Sequence, residues 1–205
     1  PLRGGKGELY EGGIRVPMLV SWPGLRKPGS QFREPVASVD LYPTLLQITG
    51  SEAPPGMKLD GTGYAEFLKG LSPPEKRPPL YWHFPGYLGS SENTWRTTPA
   101  GAIRDGDWKL IEFFEDGRRE LYNLRTDPGE TMNVASKHVD QVTLLHEKLL
   151  KWRADTGAAI PTPNPNRQPP RTMAQGEIRF NVRDADSDSP VPCRIHLYDA
   201  NDAPV

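Results

Sequence analysis

Residues 1–24 read PLRGGKGELYEGGIRVPMLVSWPG, and they set a single lysine, Lys6, among Gly4, Gly5 and Gly7 just ahead of an apolar run. Without a Cβ, those glycines let the backbone take positive φ and approach a ligand closely. A lysine on such a loop is a compact ammonium with three donors, suited to an oxyanion such as sulfate or phosphate. The same spacing also fits a glycine-rich surface loop carrying a solvated lysine. It does not fit a phosphate loop, because Lys6 is followed by Gly7 where Ser or Thr would bind magnesium. Residues 14–22 (IRVPMLVSW) are short, apolar and rich in β-branched side chains, and Pro23-Gly24 ends them. That pattern predicts a strand buried in an α/β sheet, with Pro17 at an irregularity.

The chain has 205 residues, enough for one domain or one and a fraction with a sizeable core. With 25 basic and 26 acidic residues the net charge is −1, which gives no support for nucleic acid or an anionic membrane as a partner. No apolar run reaches the ~20 residues of a membrane span. The 23 prolines and 20 glycines predict many turns. Cys193 is the single cysteine, which excludes a disulfide framework within the chain and a thiolate metal cluster. The alternation around it reads as a strand interior, where cysteine behaves as a small hydrophobe.

Further along, residues 25–34 read as a loop, and a helix is predicted over 41–49. Ser38 or Asp40 serves as its N-cap, Pro43 fits its first turn and Gly50 its C-terminal cap. Leu41, Leu45 and Ile48 share one stripe and should face a core. A short helix is expected at 64–69, then a strand at 80–84 (LYWHF), ended by Pro85-Gly86-Tyr87. His83 in that strand either lies in a cleft or is a satisfied, partly buried histidine. Residues 88–100 read as an exposed loop lining a cleft mouth. Three strands follow at 102–104, 108–114 and 120–124, joined by Asp105-Gly106-Asp107 and Asp116-Gly117 hairpin turns. A helix opening at Ser136 carries Val139, Val142, Leu145, Leu149 and Trp152 on one stripe, placed to cover the sheet.

GGKGELYEGGIRVPMLVSWPG resembles the segment that follows the metal-binding residues of formylglycine-dependent, arylsulfatase-type sulfatases of the alkaline-phosphatase superfamily. VDLYPTLL, YWHFP and AIRDGDWKLIEFFEDGRRELYNLRTDPGETMNVA resemble later parts of the same pattern, so the resemblance covers about residues 1–165. It implies the C-terminal part of an α/β sulfatase fold, with a small antiparallel sheet packed on a terminal helix. It makes Lys6 a residue that binds the substrate's sulfate and gives Glu11, Gly12, Gly13, Arg15 and Pro17 architectural roles. It makes His83 a candidate substrate contact, although relatives often carry a second histidine where this chain has Gly86. The CRIHL around Cys193 fails the C/S-x-P-x-R pattern that supplies formylglycine. The nucleophile and the ligands of a calcium ion are therefore expected upstream of Pro1. The 205 residues alone should be inactive, and Asp40 and the carboxylates around Asp127-Pro128-Gly129-Glu130 are read as structural or solvated. Sulfate esters, with a preference for sulfated sugars, are the implied substrates, and the implied location is periplasmic or secreted.

Residues 161–173 are a Pro-rich linker, and within 174–205 residues 176–182 and 193–198 alternate at period two. They resemble the opening strands of a β-sandwich module, truncated before it could close. Asp184, Asp186 and Asp188 imitate a calcium loop, but Ser189 and Ile195 stand where its glycine and bidentate glutamate belong. The expected division is thus 1–100 in the catalytic α/β domain, 101–160 in the C-terminal subdomain, then linker and tail. Two other functions stay open: a phosphodiesterase or phosphonate hydrolase of the same superfamily, and a non-catalytic carbohydrate-binding scaffold.

Overall fold

The computed structural model describes residues 1–22, 29, 31–69, 77–91, 94–163 and 165. The expected calcium-like loop and β-module lie outside the described residues. Pro1–Thr162 form one compact unit.

Its centre is a four-stranded antiparallel sheet in the order β1-β4-β5-β6. The strands are β1 (Leu80–Phe84), β4 (Ala100–Asp105), β5 (Trp108–Phe113) and β6 (Arg119–Asn123). Between β1 and β4 the chain makes a separate hairpin of β2 (Leu88–Ser91) and β3 (Thr94–Thr97), where the sequence predicts a loop. The two Asp-Gly turns join β4 to β5 and β5 to β6. Gly106 and Gly117 take φ of 59° and 68°, the left-handed geometry these tight connections need.

Period-two alternation sorts the sheet into two faces. Ile103, Leu110 and Leu121 pack against Leu145 and Leu149 of the terminal helix α4 (Val139–Thr156). Tyr81 stacks flat on Trp152 of that helix, ring centroids 4.9 Å apart. Val139, the first residue of the helix, is exposed instead of buried, and a 3-10 turn at Ala135–Lys137 precedes it. The other face, with Ala100, Ala102, Ile111 and Tyr122, is covered by Leu9 and Tyr10 of the N-terminal stretch.

Residues 14–22 do not form the predicted strand. A short helix α1 occupies Glu11–Ile14, and residues 15–22 carry no ladder to any described strand. Their apolar side chains are open, Leu19 at 95% exposure. An extended apolar segment becomes a strand only when a neighbour supplies its hydrogen bonds. Helix α2 (Leu41–Thr49) ends in the expected left-handed Gly50. Its Leu41 and Leu45 are exposed instead of buried, and they line an apolar cleft with Met18, Leu19 and Trp22. Asp40 is fully buried and structural: it pairs with Arg77 and accepts the N–H groups of Ala37 and Thr62. A one-turn helix α3 occupies Ala65–Leu68 as expected. No helix among the described residues is long and apolar enough to cross a membrane.

Candidate functional site

Lys6 sits in a tight turn. Glu8 N–H donates to the Gly5 carbonyl at 3.0 Å, and the Glu8 carboxylate accepts the Gly5 N–H at 2.8 Å. Gly4 and Gly7 take φ of 76° and 96°, which L side chains avoid. Beneath the turn run Gly12 and Gly13. A Cβ at Gly12 would strike the carbonyl oxygens of Arg3 and Gly4, and one at Gly13 those of Glu8 and Gly5. The glycines of EGG thus serve close backbone packing, and the lysine turn rests directly on them. The Lys6 side chain is exposed and makes no hydrogen bond or ion pair with any described residue. An ammonium in that state is available to an anion.

A buried charge network fixes this floor to the sheet. Lys109 and Glu130 are both 0% exposed, and Glu11 is 1% exposed. The Lys109 ammonium lies 3.0 Å from a Glu11 oxygen and 2.8 Å from a Glu130 oxygen. Glu130 also accepts the backbone N–H of Glu11 at 2.6 Å. Arg104 and Arg15 approach the other Glu11 oxygen at 3.7 and 3.6 Å. Burial pushes the Glu130 carboxyl above the usual carboxylate range, against the opposing pull of Lys109. Glu130 is therefore not part of a solvated face, which corrects the sequence reading. Its φ of 52° marks it as a residue held in place by its partners.

Beside this network, the Glu120 carboxylate accepts both the Tyr10 and the Tyr122 hydroxyls at 2.7 Å and pairs with Arg118. Arg3 donates to the Tyr122 hydroxyl at 2.8 Å and to the Glu130 carbonyl at 3.1 Å. Burial, then the bond to Glu120, raises the pKa of both tyrosines, so they stay neutral donors. The strand pattern hints at Lys109, because WKLIEF puts a lysine inside an apolar run, and a buried charge requires a partner. Its partners lie 98 residues before it and 21 after it, beyond any local signal.

His83 belongs to the other side of the sheet. It alternates with Trp82, which packs on the face covered by the N-terminal stretch, and it follows Tyr81 toward α4. Its Nε2 is 2.9 Å from the Ala159 carbonyl beyond α4, and its ring leans on Phe114 at 5.4 Å. Among the described residues no hydrogen bond or ring contact joins His83 to Lys6. On the His83 side, Glu112 is claimed by Arg153 at 2.6 Å and His146 at 2.8 Å. Among the described residues no cluster of three or more His, Cys, Asp or Glu could hold a metal ion. What the turn presents chemically is one exposed ammonium with three donors, a group that can bind an anion.

Residues 5–155 match the family described as N-sulphoglucosamine sulphohydrolase, C-terminal. A sulfatase of Formosa agariphila is 37% identical over 166 residues, covering 74% of this chain and 29% of the relative. Arylsulfatase K of Danio rerio is 33% identical over 153 residues, covering 73% of this chain and 28% of that one. The crystal structure of Ps i-CgsB in complex with k-i-k-neocarrahexaose superposes with a TM-score of 0.61 at 31% identity, covering 76% of this chain and 32% of the other. The chain therefore spans about three-tenths of the length of the relatives it matches.

Proposed function

This chain belongs to the sulfatase family, matching its C-terminal region, and from that premise we propose that it is the sulfate-binding C-terminal part of a sulfuric ester hydrolase. The reaction is R–O–SO3⁻ + H2O giving R–OH and hydrogen sulfate. The observation that carries the reading is Lys6: an exposed ammonium, unpaired among the described residues, on a turn held by glycine packing and by the buried Glu11–Lys109–Glu130 network. Its role is to neutralise charge on the sulfate and near the bridging oxygen as the ester bond breaks. A preorganised cation of this type contributes on the order of 3 kcal/mol of barrier lowering. Because the turn is fixed before substrate arrives, little reorganisation is required at the moment of reaction.

In this reading formylglycine and a calcium ion are supplied by residues preceding Pro1 in a longer, periplasmic or secreted protein. His83 is assigned packing between the β1 strand and the chain beyond α4. The substrate is a sulfated sugar, a preference supported by the oligosaccharide named in the Ps i-CgsB complex.

The test compares substrates. The whole protein should release sulfate from sulfate esters far faster than phosphate from the matching phosphate esters or phosphonates, and the 205-residue chain should release none. Preferential cleavage of the phosphorus substrates, or turnover by the 205-residue chain, would overturn the assignment.

A further inference from the structure

The β2–β3 hairpin stands directly against the lysine turn. Leu88 occupies the space where a Gly7 side chain would project, so no larger residue fits there. The Arg96 side chain folds along the bare face of Gly89, its Cβ, Nε and Cζ each 3.4 Å from where a Gly89 Cβ would stand. Its guanidinium ends with Nη2 3.5 Å from the Cβ position of Gly7, the residue next to Lys6. Like Lys6, Arg96 is exposed and makes no hydrogen bond or ion pair with any described residue. The nearby carboxylates are engaged: Glu8 accepts the Gly5 N–H, and Glu115 accepts the Tyr87 hydroxyl at 2.6 Å. Tyr87, just ahead of β2, and Trp95 of β3 lie 5.3 Å apart, 45% and 50% exposed.

We propose that Arg96, with the Tyr87–Trp95 pair, forms a subsite beside Lys6 for the alcohol side of the substrate: a sugar ring bearing a second anionic group besides the sulfate to be removed. This rests on the reading of Lys6 as the sulfate contact. The Arg96 guanidinium lies against the turn that carries Lys6, and the Glu8 carboxylate of that turn is held by the Gly5 N–H, so two exposed cations on adjoining elements raise the local concentration of anions. Arg96 offers a planar fork that takes a carboxylate or sulfate through two parallel bonds, whereas Lys6 acts as a point charge. Half-exposed rings present an apolar face on which the C–H face of a pyranose can lie, with the Tyr hydroxyl fixed by Glu115. The cation pair thus reads two anions on one molecule, and the aromatic pair reads the ring that carries them.

The test is steady-state kinetics of the whole protein on three substrates built on one sugar. One carries the scissile sulfate alone, one adds a carboxylate and one adds a second sulfate. The wild type should favour the dianionic substrates, by roughly tenfold or more in kcat/KM. Arg96→Ala should erase that preference mainly through KM, Arg96→Lys should restore part of it, and Trp95→Ala should raise KM for all three sugars. A wild type indifferent to the second anion, or an Arg96→Ala loss equal on all three, overturns the subsite. Lys6→Ala separates the two claims. If it lowers turnover on all three substrates while Arg96→Ala changes no preference, the lysine reading stands and the subsite falls. If it spares all three, the lysine reading itself falls.

Discussion

Lys109 occupies the centre of an apolar strand, and its ammonium reaches Glu11 and Glu130 and no water. Removing one member of such a group leaves uncompensated charge in a low-dielectric interior, which costs far more than the group contributes as a unit. Lys109→Met should therefore destabilise the chain by roughly 3–5 kcal/mol in denaturant unfolding. Adding Glu130→Gln to Lys109→Met should recover part of that loss, because one stranded carboxylate disappears. The same carboxyl predicts a pH dependence. Glu130 holds its proton more tightly folded than unfolded, so its contribution is full below the ordinary carboxylate range, about pH 4. It is lost as pH rises through the elevated folded value. Glu130→Gln should flatten the fall in stability between that range and neutrality, and an unchanged slope would remove Glu130 from the account.

The lysine turn is only as well placed as the elements beneath it. Gly13→Ala would drive a methyl group into the carbonyls of Glu8 and Gly5, backbone atoms that cannot rotate away. Overpacking of this kind costs about 1–3 kcal/mol, and here it should also displace Lys6. Gly106→Ala adds a methyl group where nothing lies within 4 Å, so it should show only the milder strain of a positive φ. Comparing the two by thermal unfolding, and in the whole protein by sulfate affinity, separates packing from backbone strain. At this scale much was legible in the sequence. The Asp-Gly turns, the Gly50 cap and the Leu145–Leu149 stripe each carry a local signal, and each forms where that signal predicts. The hairpin at 88–97 carries no strand signal in the sequence, because its strands are short and, Leu88 and Trp95 apart, polar, without the apolar alternation that marks a buried face. Arg96 was missed with it. The Lys109 network was hidden because its members come from three distant segments, and Glu130 in particular sits in a stretch whose local pattern is a turn.

For the molecule as a whole, the departure from the sequence pattern is at residues 14–22. The segment is apolar in composition, but burial is a property of neighbours and no described strand flanks it. With Leu41 and Leu45 it leaves a contiguous apolar cleft open to solvent, larger than single scattered exposed side chains would create. The relatives are more than three times as long as the matched region, and the prediction is that in the whole protein this face is covered by the rest of the catalytic domain. Leu19→Asp should consequently be nearly silent in the 205-residue chain, within about 0.5 kcal/mol. In the whole protein it should cost roughly 2 kcal/mol or more, because a carboxylate would then be buried without a partner. Equal, small effects in both proteins would mean that this face stays open.

The decisive measurement is kcat/KM for a sulfate ester in the whole protein, wild type against Lys6→Ala, with thermal unfolding to show that both fold. The expected result is a fall of about 10²–10³ with little change in melting temperature, since the proposed role of Lys6 is contact with substrate and it makes no bond to any described residue. An Ala variant that cleaves sulfate esters as fast as the wild type would contradict it.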